Sequence, residues 1–466
     1  MYWWSESAST TASAVAALAT VQANDVGAQT NRAGLRLFMS SRPGSGVTAS
    51  AGVAAATGNA AGASEKVRAT ASVAAATGSA ANASTSSVLY PSWAQGWVAT
   101  LQAGFTGITY GTTFTAPGSI PHDGVTSSSS ALNTWLASTV GSGTSGAWKK
   151  AVIPTGWTIR LTGDEGGMYL AGLSYIELDL TGATIQIATN DISNAASGLF
   201  FQDSHHIRVV GGTFDGLRTT TGQVTAGHEA GNEKRNGCVI RHNCQFLMFD
   251  GVTWDNLYAH GLLINTDGGG LAEYPTDLWI KDCTVRGGLM NIAPVSAARV
   301  LVEGTAANDA QAIPFDLEPD ITGHVVEDVL LINNNVDTYG CGQTLSSWFV
   351  AINGKGTSQA YIRRIGVYYN TVTAGALGPD NGNYDLLGGL GIRCTDQELE
   401  KTDIYIVGNT SEDPDEQTGS SGVMYFSYTT NLTVTGNRQP IAGTATFING
   451  SSNVNVTQSG NSTTYP

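Results

Sequence analysis

Charge is scarce in this sequence of 466 residues: 13% are Asp, Glu, Lys or Arg, and 22 basic residues face 37 acidic ones, a net charge of −15. An acidic body repels phosphate backbones, which excludes nucleic acid as a partner. The 41% of hydrophobic residues exclude a highly charged disordered chain and supply a long core. No run of about 18 uninterrupted apolar residues occurs, so no membrane span is expected. Cysteine is sparse: Cys238, Cys244, Cys283, Cys341 and Cys394 are odd in number and lack CxxC spacing. They indicate neither a disulfide framework nor a zinc site, and buried free thiols are expected. The opening MYWWSESASTTASAVAALAT lacks a basic n-region and is read as mature protein. The chain is too long for one ordinary compact domain, so several domains or one elongated domain are expected.

What the sequence has in excess is glycine, 58 residues against 13 prolines, and small-residue repeats. Residues 47–64, VTASAGVAAATGNAAGAS, recur at 67–84 as VRATASVAAATGSAANAS, displaced by 20 positions. Alternation of Ala with Thr or Ser fits an extended strand whose small side chains admit neighbouring backbones. Two such units cannot bury a core alone, so they either intertwine with copies in other subunits or form a flexible linker. Residues 1–86 hold five basic and three acidic residues, so the acidity belongs to the body. We divide the chain into an N-terminal attachment region (1–45), the Ala/Gly/Thr-rich repeats (46–86), a connecting segment (87–118) and a folded body (119–466).

The body opens on His122-Asp123-Gly124-Val125, a serine run, and Ala131-Leu132-Asn133-Thr134-Trp135-Leu136, whose apolar spacing predicts a short amphipathic helix. A helix placed before a series of strands covers the otherwise unpaired end of a sheet stack. After Val152-Ile153-Pro154-Thr155-Gly156 one grammar repeats: a short apolar strand, an excursion, then an alternating strand. Units begin at Gly198, Gly237, Gly261, Met290, Ile313, Phe349, Leu390, Val423 and Ala445. No long helical periodicity separates them, which excludes a doubly wound sheet or a TIM barrel. The pattern predicts an all-β parallel β-helix, a solenoid with a short capping helix, preceded by the extended neck. Asn334, Asn370, Asn409 and Asn437 recur just after the second strand of their units, as expected of αL turn residues whose stacked amides bond rung to rung.

Asp123-Gly124-Val125, the helix through Ala131 and Leu136, the VIPTG element and the rungs resemble the pectate-lyase-like superfamily of right-handed parallel β-helices, over about residues 119–466. The turn departs from the superfamily pattern, with Thr126 and four serines where acidic residues usually follow. The repeats of 47–84 resemble those of minor tail proteins from phages of actinobacteria. Together these resemblances imply a tailspike-like virion protein, homotrimeric, with its N-terminal region on other tail proteins and its β-helix facing a host cell-envelope glycan.

Aligning the first strands on inward Phe201, Ile240, Ile264, Leu317, Ile352 and Cys394 sets Gln202, Arg241, Asn265, Glu318, Asn353 and Thr395 outward after them. Phe200, Val239, Leu263, Asp316, Ala351 and Arg393 point outward before them. Polar groups beside apolar ones along one wall are how a sugar-binding groove is built. Asp316 and Glu318 share a strand face, with Cα atoms roughly 6.5 to 7 Å apart. Such a pair can split into acid and base, and its spacing fits inverting glycoside hydrolysis, with carboxyls about 6.5–9.5 Å apart. The same pair could instead hold calcium, or serve as solvated residues that discourage association. Asp316 and Glu318 are thus the catalytic candidates, and Arg241, Asn265, Asn353, Arg393 and His260 the substrate-binding ones, with no metal or other cofactor assigned beyond that calcium alternative.

His260-Gly261 is similar to the His-Gly element of polygalacturonase-type β-helices, but the paired-Asp and Arg-x-Lys motifs that accompany it there are missing. His205-His206 is expected in an exposed turn. The excursions 217–236 and 376–388 are expected to wall the groove, with Glu229 and Glu233 as reserve acids. Trp254, Tyr258 and Trp348 either stack on sugars or pack in a core or interface. Three functions fit: a tail protein that binds and cleaves a host polysaccharide, a non-catalytic adhesive or structural tail protein, or a secreted bacterial polysaccharide lyase or hydrolase.

Overall fold

Alternation of apolar and polar residues over strands of three to eight residues leaves each strand one face to bury, and parallel stacking of successive turns buries it. The computed structural model describes residues 90–466 apart from 163–166, 189–196, 219–235, 266–272, 320, 340–347, 355–359, 377–389, 395–398, 412–421, 440–445 and 463–466. Before residue 90 it describes only Ser50–Ala51 and Ala74–Ala75. The chain forms two units, Met1–Leu89 and Tyr90–Pro466. In the first, the two described strands pair antiparallel, Ser50 opposite Ala75 and Ala51 opposite Ala74, one from each small-residue repeat.

The second unit is a right-handed parallel β-helix. Its turns contribute to three parallel sheets in which, away from the ends, every third strand of the chain is a hydrogen-bonded neighbour. Sheet I runs from Met168–Tyr169 to Thr446–Asn449 and sheet II from Tyr110–Thr115 to Val454–Ser459. Sheet III runs from Asp123–Ser127 to Thr410–Ser411. The inward residues of all three form one continuous hydrophobic column, including Phe201, Ile240, Ile264, Leu317, Ile352 and Cys394 in sheet I. The expected register holds, since Phe201 pairs with Ile240, Ile240 with Ile264, and Leu317 with Ile352. One rung was absent from that alignment: Met290–Pro294 inserts Pro294 above Ile264. The glycines that open three units have a packing reason. A Cβ on Gly198, Gly237 or Gly261 would lie 2.6, 2.5 or 2.2 Å from Phe214, Trp254 or Val285.

Helix α1, Ser92–Ala103, lies within the segment expected to be a connector. Its Ala94, Val98 and Leu101, spaced as one helix face, are buried against strands Thr276–Lys281 and Ala297–Glu303 of sheet II. The outer face it covers is apolar, with Trp279 and Leu301 buried, and Trp93 stacks on Tyr405 with centroids 5.8 Å apart. Tyr110–Thr115, also from that segment, pairs with Trp148–Val152 as the first strand of sheet II. Helix α2, Ser129–Thr134, continues into a π-helical turn, Trp135–Val140, and is the expected cap. Leu132, Trp135, Leu136 and Val140 close the core, and Asn133 pairs the exposed edge of sheet I by donating to Gly167 O (3.0 Å) and accepting from Tyr169 N (2.9 Å).

The asparagine ladder is present and longer than expected. Asn334, Asn370 and Asn409 each donate from Nδ2 to Oδ1 of the next Asn at 2.9–3.0 Å, and Asn437 donates likewise to Asn461 at 3.1 Å. The left-handed residues are not these but their predecessors Asn333, Tyr369, Gly408 and Gly436, a correction to the turn assignment. A second left-handed column was not foreseen. Tyr175, His206, Phe246, Asp277, Arg299, Asp328, Arg364, Asp403, Asn431 and Asn455 all have φ between 52° and 59°, one per rung where sheet II bends. Each costs about 1–2 kcal/mol in an L-residue. Stacking of His206 on Tyr175 (4.7 Å) and Phe246 (4.6 Å), then alternating Asp and Arg, offsets that cost. His205-His206 therefore belongs to strand His205–Val210 and not to an exposed turn.

Candidate functional site

The outer face of sheet I carries two in-register columns. The first runs Tyr169, Phe200, Val239, Leu263, Ala293, then Asp316, Ala351, Arg393 and Tyr425. The second follows two residues later in each strand, with Gln202, Arg241 and Asn265 paired in sequence. It continues after Pro294 and Leu317 with Val295, Glu318 and Asn353, the last bonding from its N–H to Leu317 O at 3.2 Å. Rungs are about 4.8 Å apart, so Arg241 and Asn265 are vertical neighbours, as are Glu318 and Asn353.

Asp316 points outward, because Phe315 and Leu317 on either side belong to the core. It is nevertheless only 2% exposed, lying between Ala293 and Ala351, which are also buried. Glu318, two residues on, is half-buried. Asn265, Asn353, Arg241 and Arg393 are half-buried as well. Arg241 lies with Cζ 5.6 Å from the Phe200 ring centroid, and Phe200 in turn packs 5.1 Å from Tyr169. Arg393 lies with Cζ 5.8 Å from the centroid of buried Trp348, which meets Tyr425 edge-on at 5.7 Å. These placements hold both guanidinium groups by cation–π contact at partly desolvated positions.

His260 is not brought to this constellation. It precedes strand Leu262–Asn265 at the opposite border of sheet I, about 16 Å of extended chain from Asn265. Its Nδ1 and backbone N–H meet Asn236 Oδ1 at 3.0 and 3.1 Å. Gly261 is explained by the close approach of Val285. Trp254 is wholly inside the core, stacked on Phe214, so it cannot touch a ligand. Glu229, Glu233, Thr395 and Cys341 lie outside the described residues. The four described cysteines are buried thiols, and burial pushes Cys283 and Cys244 up to about 12. Among the described residues no group of three or more His, Cys, Asp or Glu converges as a metal site. Among the described residues no helix is long and apolar enough to cross a membrane.

Sequence reasoning missed Tyr169 and Tyr425, although Met424-Tyr425-Phe426 repeats the inward-outward-inward order of Ile392-Arg393-Cys394.

No protein-family model matches the chain, and no curated protein matches it. Among solved structures it is similar to PfbA, a surface adhesin of Streptococcus pneumoniae: 12% identity, 75% of this chain, 92% of that one, TM-score 0.45. It is similar to the A-module of the Azotobacter vinelandii mannuronan C-5 epimerase AlgE4: 13% identity, 73% and 94% covered, TM-score 0.43. A third likeness is to the tailspike of E. coli bacteriophage HK620 in complex with pentasaccharide: 14% identity, 73% of this chain and 64% of that chain, TM-score 0.47. The fold assignment rests on the strand order within this chain.

Proposed function

We propose that the protein binds a cell-envelope polysaccharide along the outer face of sheet I. The observation that carries this reading is the pair of columns: rings and aliphatic groups of Tyr169, Phe200 and Leu263 beside the hydrogen-bonding groups of Gln202, Arg241, Asn265 and Asn353, on one regularly spaced wall. Sugars offer the complement, apolar ring faces edged by hydroxyls. The setting we propose is a phage tail, with the small-residue repeats as a neck and the protein acting extracellularly as a homotrimer.

Binding without cleavage is favoured by Asp316, since a carboxyl 2% exposed cannot reach a glycosidic oxygen. Cleavage is the second reading, favoured by two outward acidic residues two positions apart, and it applies equally to a tail depolymerase or a secreted hydrolase or lyase. Pull-down of host envelope glycan by wild type and by an Asn265→Ala, Asn353→Ala variant tests the binding face; equal capture would refute it. Reducing-end release by wild type, absent in Asp316→Asn with Glu318→Gln, would establish cleavage. Copurification with virions and a trimeric sedimentation mass test the setting, and a monomer would remove the trimer.

A further inference from the structure

His205 and His206 are adjacent in strand His205–Val210, where regular alternation would send their side chains to opposite faces. The left-handed backbone of His206, φ 54°, breaks that alternation. The two imidazoles meet edge-on with centroids 5.3 Å apart and Nδ1 to Nδ1 at 3.1 Å. One Nδ1–H therefore donates to the lone pair of the other Nδ1.

His206 is also the middle ring of the stack between Tyr175 and Phe246, and the joint between helix α1 and strand Tyr110–Thr115 rests on that stack. Gly104, just past the helix, lies so close to Phe246 that a Cβ would stand 2.9 Å from its Cδ1. Buried Phe105 meets Trp148 edge-on at 6.2 Å, and Trp148 meets Tyr175 and His206 edge-on at 5.9 and 6.4 Å.

One extra proton leaves this arrangement intact. Added at Nε2 of the donor ring, it keeps the bond between the Nδ1 atoms and makes it charge-assisted. A second proton has only the accepting Nδ1 left, where two N–H groups on two cations would face each other across 3.1 Å. Burial and then the charge of His205 hold His206 below its usual 6.5, against the opposing pull of Asp277, which Arg299 binds. The other strands packed on the pair bring Lys149, bonded to Val140 O, and the ion-paired Lys150, Glu177, Asp179, Arg208, Asp250 and Lys281. Residues 92–109 bring no charge.

We infer that His205 and His206 form an acid-sensitive latch, whose second protonation opens the Tyr175–His206–Phe246 stack and frees the joint at Gly104 and Phe105. The closed latch binds fewer protons than the open one below pH 6.5, so its stability is full above that value and is lost as pH falls. The opening is local, because Tyr90 still holds the start of helix α1 on Glu303.

Hydrogen exchange of the full chain tests the latch at Gly104, Phe105 and Thr106, whose amides bond to Leu101, Gln102 and Ala103 carbonyls. Between about pH 7.5 and pH 5, after correction for intrinsic exchange, their protection should fall roughly tenfold or more. Protection in the fully buried strand Val325–Ile332 should stay constant. His206→Phe completes the stack with a ring that takes no proton, and should hold the joint closed over the whole range. His205→Gln keeps the stack and removes one of the two cations, so it should do the same, and it decides the question alone should the phenylalanine variant not fold. Proton NMR of the wild-type imidazoles should show the pair titrating in two steps more than about one pH unit apart. Constant protection at the joint in the wild type, an equal fall in the variants, or uptake of both protons in a single step would overturn the latch.

Discussion

Arg299 grips Asp277 through two hydrogen bonds, Nε to Oδ1 at 2.6 Å and Nη2 to Oδ2 at 2.7 Å, although both residues are held in the left-handed region at φ 54° and 58°. Glycine would relieve the backbone at either position by about 1–2 kcal/mol. The loss of the pair should outweigh that relief, because Asp277 is buried and a buried carboxylate without its cation is costly. Arg299→Gly is therefore expected to lower stability by about 1–2 kcal/mol, measured as a fall in Tm. A rise in Tm would show that backbone strain, not charge pairing, dominates this column.

Gly261 and His260 should respond in opposite ways to alanine. A Cβ at Gly261 meets Val285 Cγ1 at 2.2 Å and Asn291 O at 2.4 Å, so Gly261→Ala forces a rearrangement worth about 1–3 kcal/mol. His260→Ala removes a half-buried contact to Asn236 and is expected to leave glycan binding unchanged. Loss of binding in the histidine variant, with Tm preserved, would return His260 to the site.

These contrasts mark how far the sequence could be read. The inward columns were legible because Phe201, Ile240, Ile264, Leu317, Ile352 and Cys394 share a period of two and a common apolar character. Helix α1 was not, because it offers only Ala94, Val98 and Leu101 as its buried face and includes Gly96, a weak helical signal. The outward direction of Asp316 was legible for the same reason as the core. Its burial was not, since exposure of an outward side chain depends on packing over the face, which strand periodicity does not specify.

Asn370 joins three rungs at once. Its Oδ1 accepts from Asn334 N (2.9 Å) and Nδ2 (3.0 Å), and its Nδ2 donates to Leu331 O (3.0 Å) and Asn409 Oδ1 (2.9 Å). Asn370→Ala strands at least two buried donors of Asn334, at about 1–3 kcal/mol for each group. We expect about 3 kcal/mol of destabilisation or more, seen as faster unfolding in denaturant. Asn370→Asp should not rescue it, because a carboxylate lacks the donors that Leu331 O and Asn409 require.

Asp123 predicts an acid-sensitive entry turn. Its carboxylate accepts from the backbone N–H of Thr126 and Val125, both at 2.8 Å, and from Thr126 Oγ1 at 2.9 Å, which lowers it from 3.8 to about 2. A carboxyl depressed on folding stabilises above its unfolded value, and that contribution is lost as pH falls through the folded value. The turn should therefore loosen between about pH 4 and pH 2, with amide exchange at Val125 and Thr126 rising across that window. Asp123→Asn should flatten the dependence, and a profile unchanged by the substitution would place the titration elsewhere.

Helix α1 is expected to be required for the integrity of the outer face of sheet II. Leu101 is fully buried at its last turn, and the helix packs on strands whose outward Trp279 and Leu301 it shields from water. Tyr90 fastens the start of the helix by donating to the buried-side carboxylate of Glu303 at 3.2 Å, with Gln102 Nε2 donating to the same hydroxyl at 2.9 Å. Leu101→Ala should cost about 2–5 kcal/mol if the helix unfolds only with the solenoid, because the whole cooperative unit then feels the cavity. If the helix opens independently, the same variant would leave the global Tm unchanged and raise hydrogen exchange in 92–103 alone. The shared tyrosine contact and the continuous apolar cover favour the first outcome. Tyr90→Phe should then reproduce part of the loss, since it leaves Glu303 in place with one fewer donor.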